Sequence, residues 1–308
     1  MRRTIVAIAL MILFLGNYVT AEPRVEKNVV YGMYSGLALL MDIHHPEQPN
    51  GYGVIFVAGS GWQAPLTYDA AGLKEAQIAL WGPPLLRAGY TVFAINHRAA
   101  PRFHYPAAVE DTQRAVRFVR HHAKTYGVDP AHIGGVGGSS GAHLLSLIAM
   151  LGAAGNSDDP DLVNREPATL QCVVLRAAPN HMRQMIGSGG LPLVVSFMEL
   201  PPSNAPANEK VYTAASPMAH VSRSAPPVLL LHGDADKIVP YQQSVAMEEA
   251  LRAVNVPVKL VRIPGGEHGA NFVVAGGGKP NPEWPDFLSE MVGWLDQHLK
   301  TAPASAGR

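Results

Sequence analysis

A serine framed by glycines, Gly137-Gly138-Ser139-Ser140-Gly141, follows the short apolar run that starts at Ile133 and precedes the apolar stretch Ala142 to Leu151. The spacing is G-x-S-x-G. A strand entering this turn and a helix leaving it would expose the Ser139 hydroxyl at a helix N-terminus, where the dipole favours developing negative charge. Glycine is needed at 137 and 141 because side chains there would collide with neighbouring backbone. Ser140 is the competing hydroxyl, but its own frame, Gly138-x-Ser140-x-Ala142, lacks the second glycine. Such a hydroxyl attacks a carbonyl only with a base to take its proton and an acid to orient the base. Both types occur downstream, each just after an apolar run. Val228 to Leu231 leads into His232-Gly233-Asp234-Ala235-Asp236, and Val258 to Ile263 leads into Pro264-Gly265-Gly266-Glu267-His268-Gly269. His268 is the expected base, since it lies in a glycine-flanked loop free to face Ser139. His232 follows its strand directly and suits a structural hydrogen bond instead. Asp236 is the expected acid. Asp234 sits in the first turn, a place suited to capping backbone N–H groups.

The same chemistry needs donors for the oxyanion of a tetrahedral intermediate. Val57-Ala58-Gly59-Ser60-Gly61-Trp62 supplies small residues after a buried run. The backbone N–H groups of Ser60 and Gly61, with that of Ser140, are the expected oxyanion hole, each worth about 3–4 kcal/mol. Trp62 is expected either to wall the substrate pocket or to pack in the core.

These residues must be carried by a scaffold, and the pattern for one is present. A continuous β-branched and aromatic run occurs at 53–58, and further strand-like stretches at 91–95, 133–137, 172–175, 228–231 and 258–263. A short apolar run at 37–43 reads as an early strand. Such runs suit strands buried on both faces. Helical stretches alternate with them at 73–88 (interrupted by Pro83-Pro84), from Pro106 to about 126, and at 142–151, 245–254 and 287–299. Alternation of this kind predicts βαβ units, hence an α/β fold with a mostly parallel central sheet flanked by helices. The segment 180–226 breaks the alternation and is rich in Pro, Ser, Asn and Met. It is read as a small cap-like insertion in one domain spanning 22–308. Its apolar residues, Phe197 and Met198 among them, are expected to line the substrate pocket, methionine being adaptable to varied apolar shapes; the alternative is a lid that packs only on the sheet.

Composition narrows the classes. The chain has 24 Lys+Arg against 24 Asp+Glu, and 47% of its residues are hydrophobic. Neutrality argues against nucleic-acid binding, and the apolar content argues against disorder. Arg2 and Arg3 precede an apolar run from Ile5 to Leu15, with Val19 and Ala21 placed for cleavage after Ala21. Residues 1–21 read as a secretory signal. The alternative is a membrane anchor, for which the run is shorter than the ~20 residues of a span. Without them the charge is 22 against 24, and export would make the protein periplasmic or extracellular. The lone Cys172 permits no internal disulfide and lies in an apolar run as a buried thiol. The 13 histidines include the pairs His44-His45 and His121-His122, whose adjacent side chains diverge. No metal or cofactor is expected.

The ordered stretches Arg87 to Val92, Asn96-His97-Arg98, Pro106 to Asp111, Gly137 to His143, Ala225 to Pro240 and His268-Gly269 resemble α/β-hydrolase-fold serine esterases. The likeness is to the hormone-sensitive-lipase-like and bacterial feruloyl and acetyl-xylan esterase (BD-FAE-like) group, over roughly residues 50–300. It implies carboxylic ester hydrolysis through an acyl-enzyme, with nucleophile, acid and base at Ser139, Asp236 and His268. Expected substrates are small or aromatic acyl esters, some of them carbohydrate-linked. The group's oxyanion segment is His-Gly-Gly-Gly-Trp, whereas this chain has Ala58-Gly59-Ser60-Gly61-Trp62 and so lacks the loop-orienting histidine. An amide hydrolase on the same triad, such as a formamidase or a prolyl-oligopeptidase-like peptidase, is the competing reading. A non-catalytic binding protein would be expected to have lost a triad member.

Overall fold

The computed structural model describes residues 24–65, 72–201, 205–273 and 280–300. The expected secretory signal lies outside the described residues. Eight strands form one sheet: β1 (Val25–Tyr34), β2 (Leu37–His44), β3 (Gly53–Val57), β4 (Thr91–Ile95), β5 (Ile133–Gly138), β6 (Val173–Arg176), β7 (Val228–Gly233) and β8 (Val258–Ile263). Their spatial order is β1-β2-β4-β3-β5-β6-β7-β8. The β1/β2 and β2/β4 pairs are antiparallel, and every pair from β4 through β8 is parallel.

The helices are α1 (Gly72–Glu75), α2 (Ile78–Arg87), α3 (Ala107–His121), α4 (Ser140–Leu151), α5 (Leu191–Met198), α6 (Pro206–Ala214), α7 (Gln242–Ala253) and α8 (Phe287–Leu299). They cover both faces of the sheet. Side chains alternate along a strand. Ile55 and Val57 of β3 therefore join Val116, Val119, Leu144 and Ile148 in one core. Val54 and Phe56 join Trp81, Leu85, Met291 and Leu295 in the other. Burial on both sides is why the central strands are uninterrupted apolar runs.

Two elements depart from expectation. β1 was not anticipated. It is an edge strand in which Val25, Lys27, Asn28, Val30, Met33 and Tyr34 are exposed, so no one-sided apolar alternation marks it. The helical stretch 73–88 does not break at Pro83-Pro84, which lie inside α2. It breaks at Gln77, whose backbone is left-handed at φ 63°.

Between β6 and β7 the segment 180–226 folds as two short turns, Met182–Met185 and Pro217–His220, around α5 and α6. It docks on the chain before α3, where the Tyr105 N–H donates to the Phe197 carbonyl at 2.8 Å. The parallel strands point their carboxyl ends to one edge of the sheet, where folds of this class place their sites. The turns after β3, β5, β7 and β8 all emerge there.

Candidate active site

The turn from β5 into α4 holds Ser139 at φ 51° and ψ −119°, a conformation that costs energy for a residue with a side chain. Sterics impose it. A Cβ at 137 would lie 2.9 Å from the Ala142 nitrogen, and one at 141 would run into the Val57 and Ala58 carbonyls. The chain must therefore turn sharply between bare backbones, which turns the serine outward.

Its hydroxyl meets His268. Ser139 Oγ is 2.8 Å from His268 Nε2, and His268 Nδ1 is 2.7 Å from Asp236 Oδ2. The Asp236 carboxylate is held in turn: Oδ1 accepts the N–H groups of Ile238 and Val239, both at 2.9 Å. Burial pushes this carboxyl up, but hydrogen bonds from His232 and His268 outweigh burial and hold it well below the usual carboxylate range. It is ionised at neutral pH, so His268 Nδ1 donates to it and Nε2 is left to accept the Ser139 proton. Burial lowers the His268 pKa; the Asp236 hydrogen bond opposes this, and the Arg176 charge adds to it.

His232 backs the acid. Its Nε2 is 3.0 Å from the Val239 carbonyl and 3.2 Å from Asp236 Oδ2, so that nitrogen carries the proton; Ser244 Oγ lies 2.7 Å from Nδ1. Asp234 faces away, accepting from the Gly265 N–H and from Arg262.

The structure divides the three expected oxyanion donors. The Ser60 N–H donates to Ser140 Oγ at 2.9 Å and is therefore occupied. Ser140, expected to contribute its N–H, also brings a hydroxyl acceptor. The N–H groups of Gly61 and Ser140 make no hydrogen bond among the described residues. The loop carrying Gly61 is tied by Gln77, which the sequence reading missed. Its amide oxygen accepts the Gly59 N–H at 3.2 Å and its amide nitrogen donates to the Gly59 carbonyl at 3.3 Å. This side chain orients the loop that lacks the expected histidine. An isolated glutamine between two helices gave no signal for it.

The expected pocket residues need correction. A cavity of about 560 Å³ opens at Ser139 and is lined also by Gly59, Ser60, Gly61, Gln77, Leu193 and Ile238, and by the charged Arg176, Lys237 and Glu267. Trp62, Phe197 and Met198 are not among its lining; all three are buried. Trp62 stacks on Phe197 with ring centroids 4.7 Å apart, and its N–H reaches His143 Nδ1 at 3.1 Å. Burial lowers the pKa of His143 to about 4, and the ring bonds the Ala215 carbonyl at 2.8 Å. Helical period explains the error. Val194, Phe197 and Met198 form the i, i+3, i+4 stripe that α5 turns to the core, which leaves Leu193 facing Gly61.

A slightly larger groove of about 610 Å³ lies away from these groups, lined by Tyr34, Arg98, Glu110, Arg114 and Asp161, whose charges are paired. Among the described residues no group of His, Cys, Asp or Glu could hold a metal ion, and no helix is long and apolar enough to cross a membrane. Cys172 is buried, and burial pushes its thiol up.

Comparison with known proteins agrees with this architecture. Residues 41–251 match the family described as BD-FAE. The probable carboxylic ester hydrolase LipM of Mycobacterium tuberculosis is 32% identical over 295 residues, covering 91% of this chain. The chain spans 64% of LipM's length. A truncated carbohydrate esterase from gut microbiota superposes with a TM-score of 0.71 at 26% identity, covering 90% of this chain and 96% of that one. A propionate-bound esterase of the Planctomycetes species Thermogutta terrifontis shares the fold, with a TM-score of 0.67 at 21% identity over 93% of this chain and 96% of its own. With an eight-stranded, mostly parallel sheet flanked by helices and a family match over most of its length, the chain belongs to the BD-FAE family of the α/β-hydrolase fold.

Proposed function

We propose that this protein is a serine carboxylic ester hydrolase that works through an acyl-enzyme. One observation carries the reading: a continuous chain from Asp236 Oδ2 through His268 to Ser139 Oγ, with links of 2.7 and 2.8 Å, ending on a strained hydroxyl at a cavity. The ester carbonyl enters that cavity. Ser139 Oγ attacks its carbon while His268 Nε2 takes the hydroxyl proton, and Asp236 stabilises the imidazolium that forms. The Gly61 and Ser140 N–H groups receive the oxyanion, aided by the N-terminal dipole of α4. His268 then gives its proton to the departing alcohol, leaving Ser139 acylated. Water, deprotonated by the same histidine, releases the acid.

Substrates are small or aromatic acyl esters, free or linked to carbohydrate. Support for the carbohydrate class comes from the esterase of gut microbiota that this chain resembles. The Arg2-Arg3 start and the apolar run behind it support export to the periplasm or beyond, with residues 1–21 removed.

The test compares chromogenic short-chain esters with aminoacyl amides, using the native protein and Ser139→Ala. Ester turnover by the native protein, with a loss approaching the roughly 10⁶-fold seen when a triad serine is removed, is expected. Amides turned over faster than esters would overturn the ester assignment. Undiminished turnover by the variant would overturn the nucleophile.

A further inference from the structure

Arg176 closes β6 beside the nucleophile, and its charge is not used by the reaction described above. Its backbone carbonyl accepts the Ser139 N–H at 2.7 Å. Its side chain is only 1% exposed, yet it borders the Ser139 cavity. One arm is occupied: Nη1 donates to the carbonyls of His268 at 2.7 Å and Gly269 at 3.1 Å. The other edge is not. Nε is buried without a hydrogen-bond partner, and Nη2 donates to no group among the described residues. Asp236 is the carboxylate whose charge acts on Arg176, and both of its oxygens are taken by His232, His268, Ile238 and Val239.

Arginine is almost never fully buried unless it is paired. Burial lowers the Arg176 pKa to about 10, so the group is still a cation at neutral pH. Nε is closed off from solvent, which leaves Nη2 as the unpartnered nitrogen that can reach the cavity, a charged donor that a carboxylate matches. The neighbouring residue lets the guanidinium lie close against the backbone. A Cβ at Gly138 would stand 2.9 Å from both Nε and Nη2, and 3.1 Å from the Gln77 amide oxygen. Gly138 has no positive φ that would require glycine for backbone reasons. The charged residues that also line the cavity are Lys237, which is exposed and adds positive charge, and the half-buried Glu267, which opposes it.

We propose that Nη2 of Arg176 is a carboxylate subsite, and that the preferred esters carry a second, unesterified carboxylate close to the scissile bond. This rests on the ester-hydrolase reading and names its substrate class. The carboxylate can sit on the acyl side or on the alcohol side, and the two are separable by choice of ester.

The experiment measures kcat/KM for two matched pairs: the para-nitrophenyl monoester of succinic acid against para-nitrophenyl butyrate, and para-acetoxybenzoate against phenyl acetate. The native protein should prefer the carboxylated member of one pair by at least about tenfold, expressed mainly in KM, since a buried polar group left unpaired penalises the neutral analogue. The pair that shows the preference identifies the side. Arg176→Met should slow both members, because it also loses the hold on the His268 carbonyl, while the ratio between them collapses to about one. Arg176→Lys should restore part of the ratio. An equal loss on both members with the ratio intact would make Arg176 a purely structural clamp and overturn the subsite. If the variants do not fold, the native protein still decides. Succinate should inhibit neutral-ester hydrolysis competitively where its diamide does not, and equal or absent inhibition overturns the proposal. Neutral esters hydrolysed with no preference in either pair would refute the subsite alone. Hydrolysis of no ester at all would refute the ester-hydrolase reading and the subsite with it.

Discussion

Two glycine-rich turns leave the adjacent strands β3 and β5 at the same edge of the sheet, close enough that a Cβ at Gly59 would lie 2.8 Å from the Gly138 carbonyl. They are built in opposite ways. The turn after β5 is shaped largely by its own glycines, where added side chains would strike Ala142 or the end of β3. The turn after β3 is shaped by remote side chains. Gly59 is clasped by Gln77, 18 residues on, Ser60 is held by Ser140, 80 residues on, and Trp62 bonds His143, 81 residues on. Ser139 is thus placed by backbone sterics, within its own turn and against the end of β3, whereas the Gly61 loop is placed by tertiary hydrogen bonds. The first kind of control should fail abruptly when altered, and the second should fail by degrees.

The sharpest contrast comes from Gly141→Ala. Its Cβ would meet the Val57 and Ala58 carbonyls, which belong to buried backbone and have nowhere to go. We expect a stability loss of about 3 kcal/mol or more by chemical denaturation, with ester turnover falling to background. Near-native stability would show that the elbow is not sterically locked, and the comparison would break.

Gln77→Ala should act on the other turn alone. Its loss frees the Gly59 N–H and carbonyl and lets the Gly61 donor drift. A misplacement of about 1 Å is worth about 10²-fold in rate, so kcat should fall by that order while the melting temperature changes little. An unchanged kcat would mean that the loop holds its shape without the tether.

The smallest effect is a displacement along the pH axis. The base must be neutral to accept the Ser139 proton. Burial lowers the His268 pKa below its ordinary value, the Asp236 hydrogen bond offsets part of this, and the Arg176 charge lowers it further. kcat/KM should therefore rise with pH and level off through a midpoint below the ordinary histidine value of ~6.5. The loss on acidification is the protonation of His268. A midpoint above ~6.5, with chemistry limiting, would show that the carboxylate outweighs burial and that the site is wetter than its geometry implies.

Legibility in the sequence follows the same division. β3, β4, β6 and β7 were readable because strands buried on both faces are mostly apolar runs, and β5 because it enters the G-x-S-x-G turn. β1 was not, because an exposed edge strand carries Lys27 and Asn28 among its apolar residues. The helical stretch 73–88 was visible, but its break at Gln77 was masked by the more conspicuous Pro83-Pro84. Ser139, Asp236 and His268 could be named together because each follows a strand at the carboxyl edge. Gln77 and Arg176 could not. Each is a single polar residue whose role depends on what lies opposite it.

What the sequence determined by itself was the strand-turn-helix around Ser139, the order Ser139, Asp236, His268 along the chain, and the alternation that makes a parallel sheet. Hydrophobic period and the sterics of Gly137 against Ala142 act between near neighbours, so they can be read without knowing the rest of the fold. Only the tertiary structure decided that the Ser60 N–H is taken by Ser140, that Leu193 rather than Phe197 and Met198 faces the cavity, and that Arg176 is buried beside it with Nε unpartnered. Those outcomes depend on burial and on hydrogen bonds between residues far apart in the chain. Such properties do not exist until the sheet has brought its carboxyl ends together.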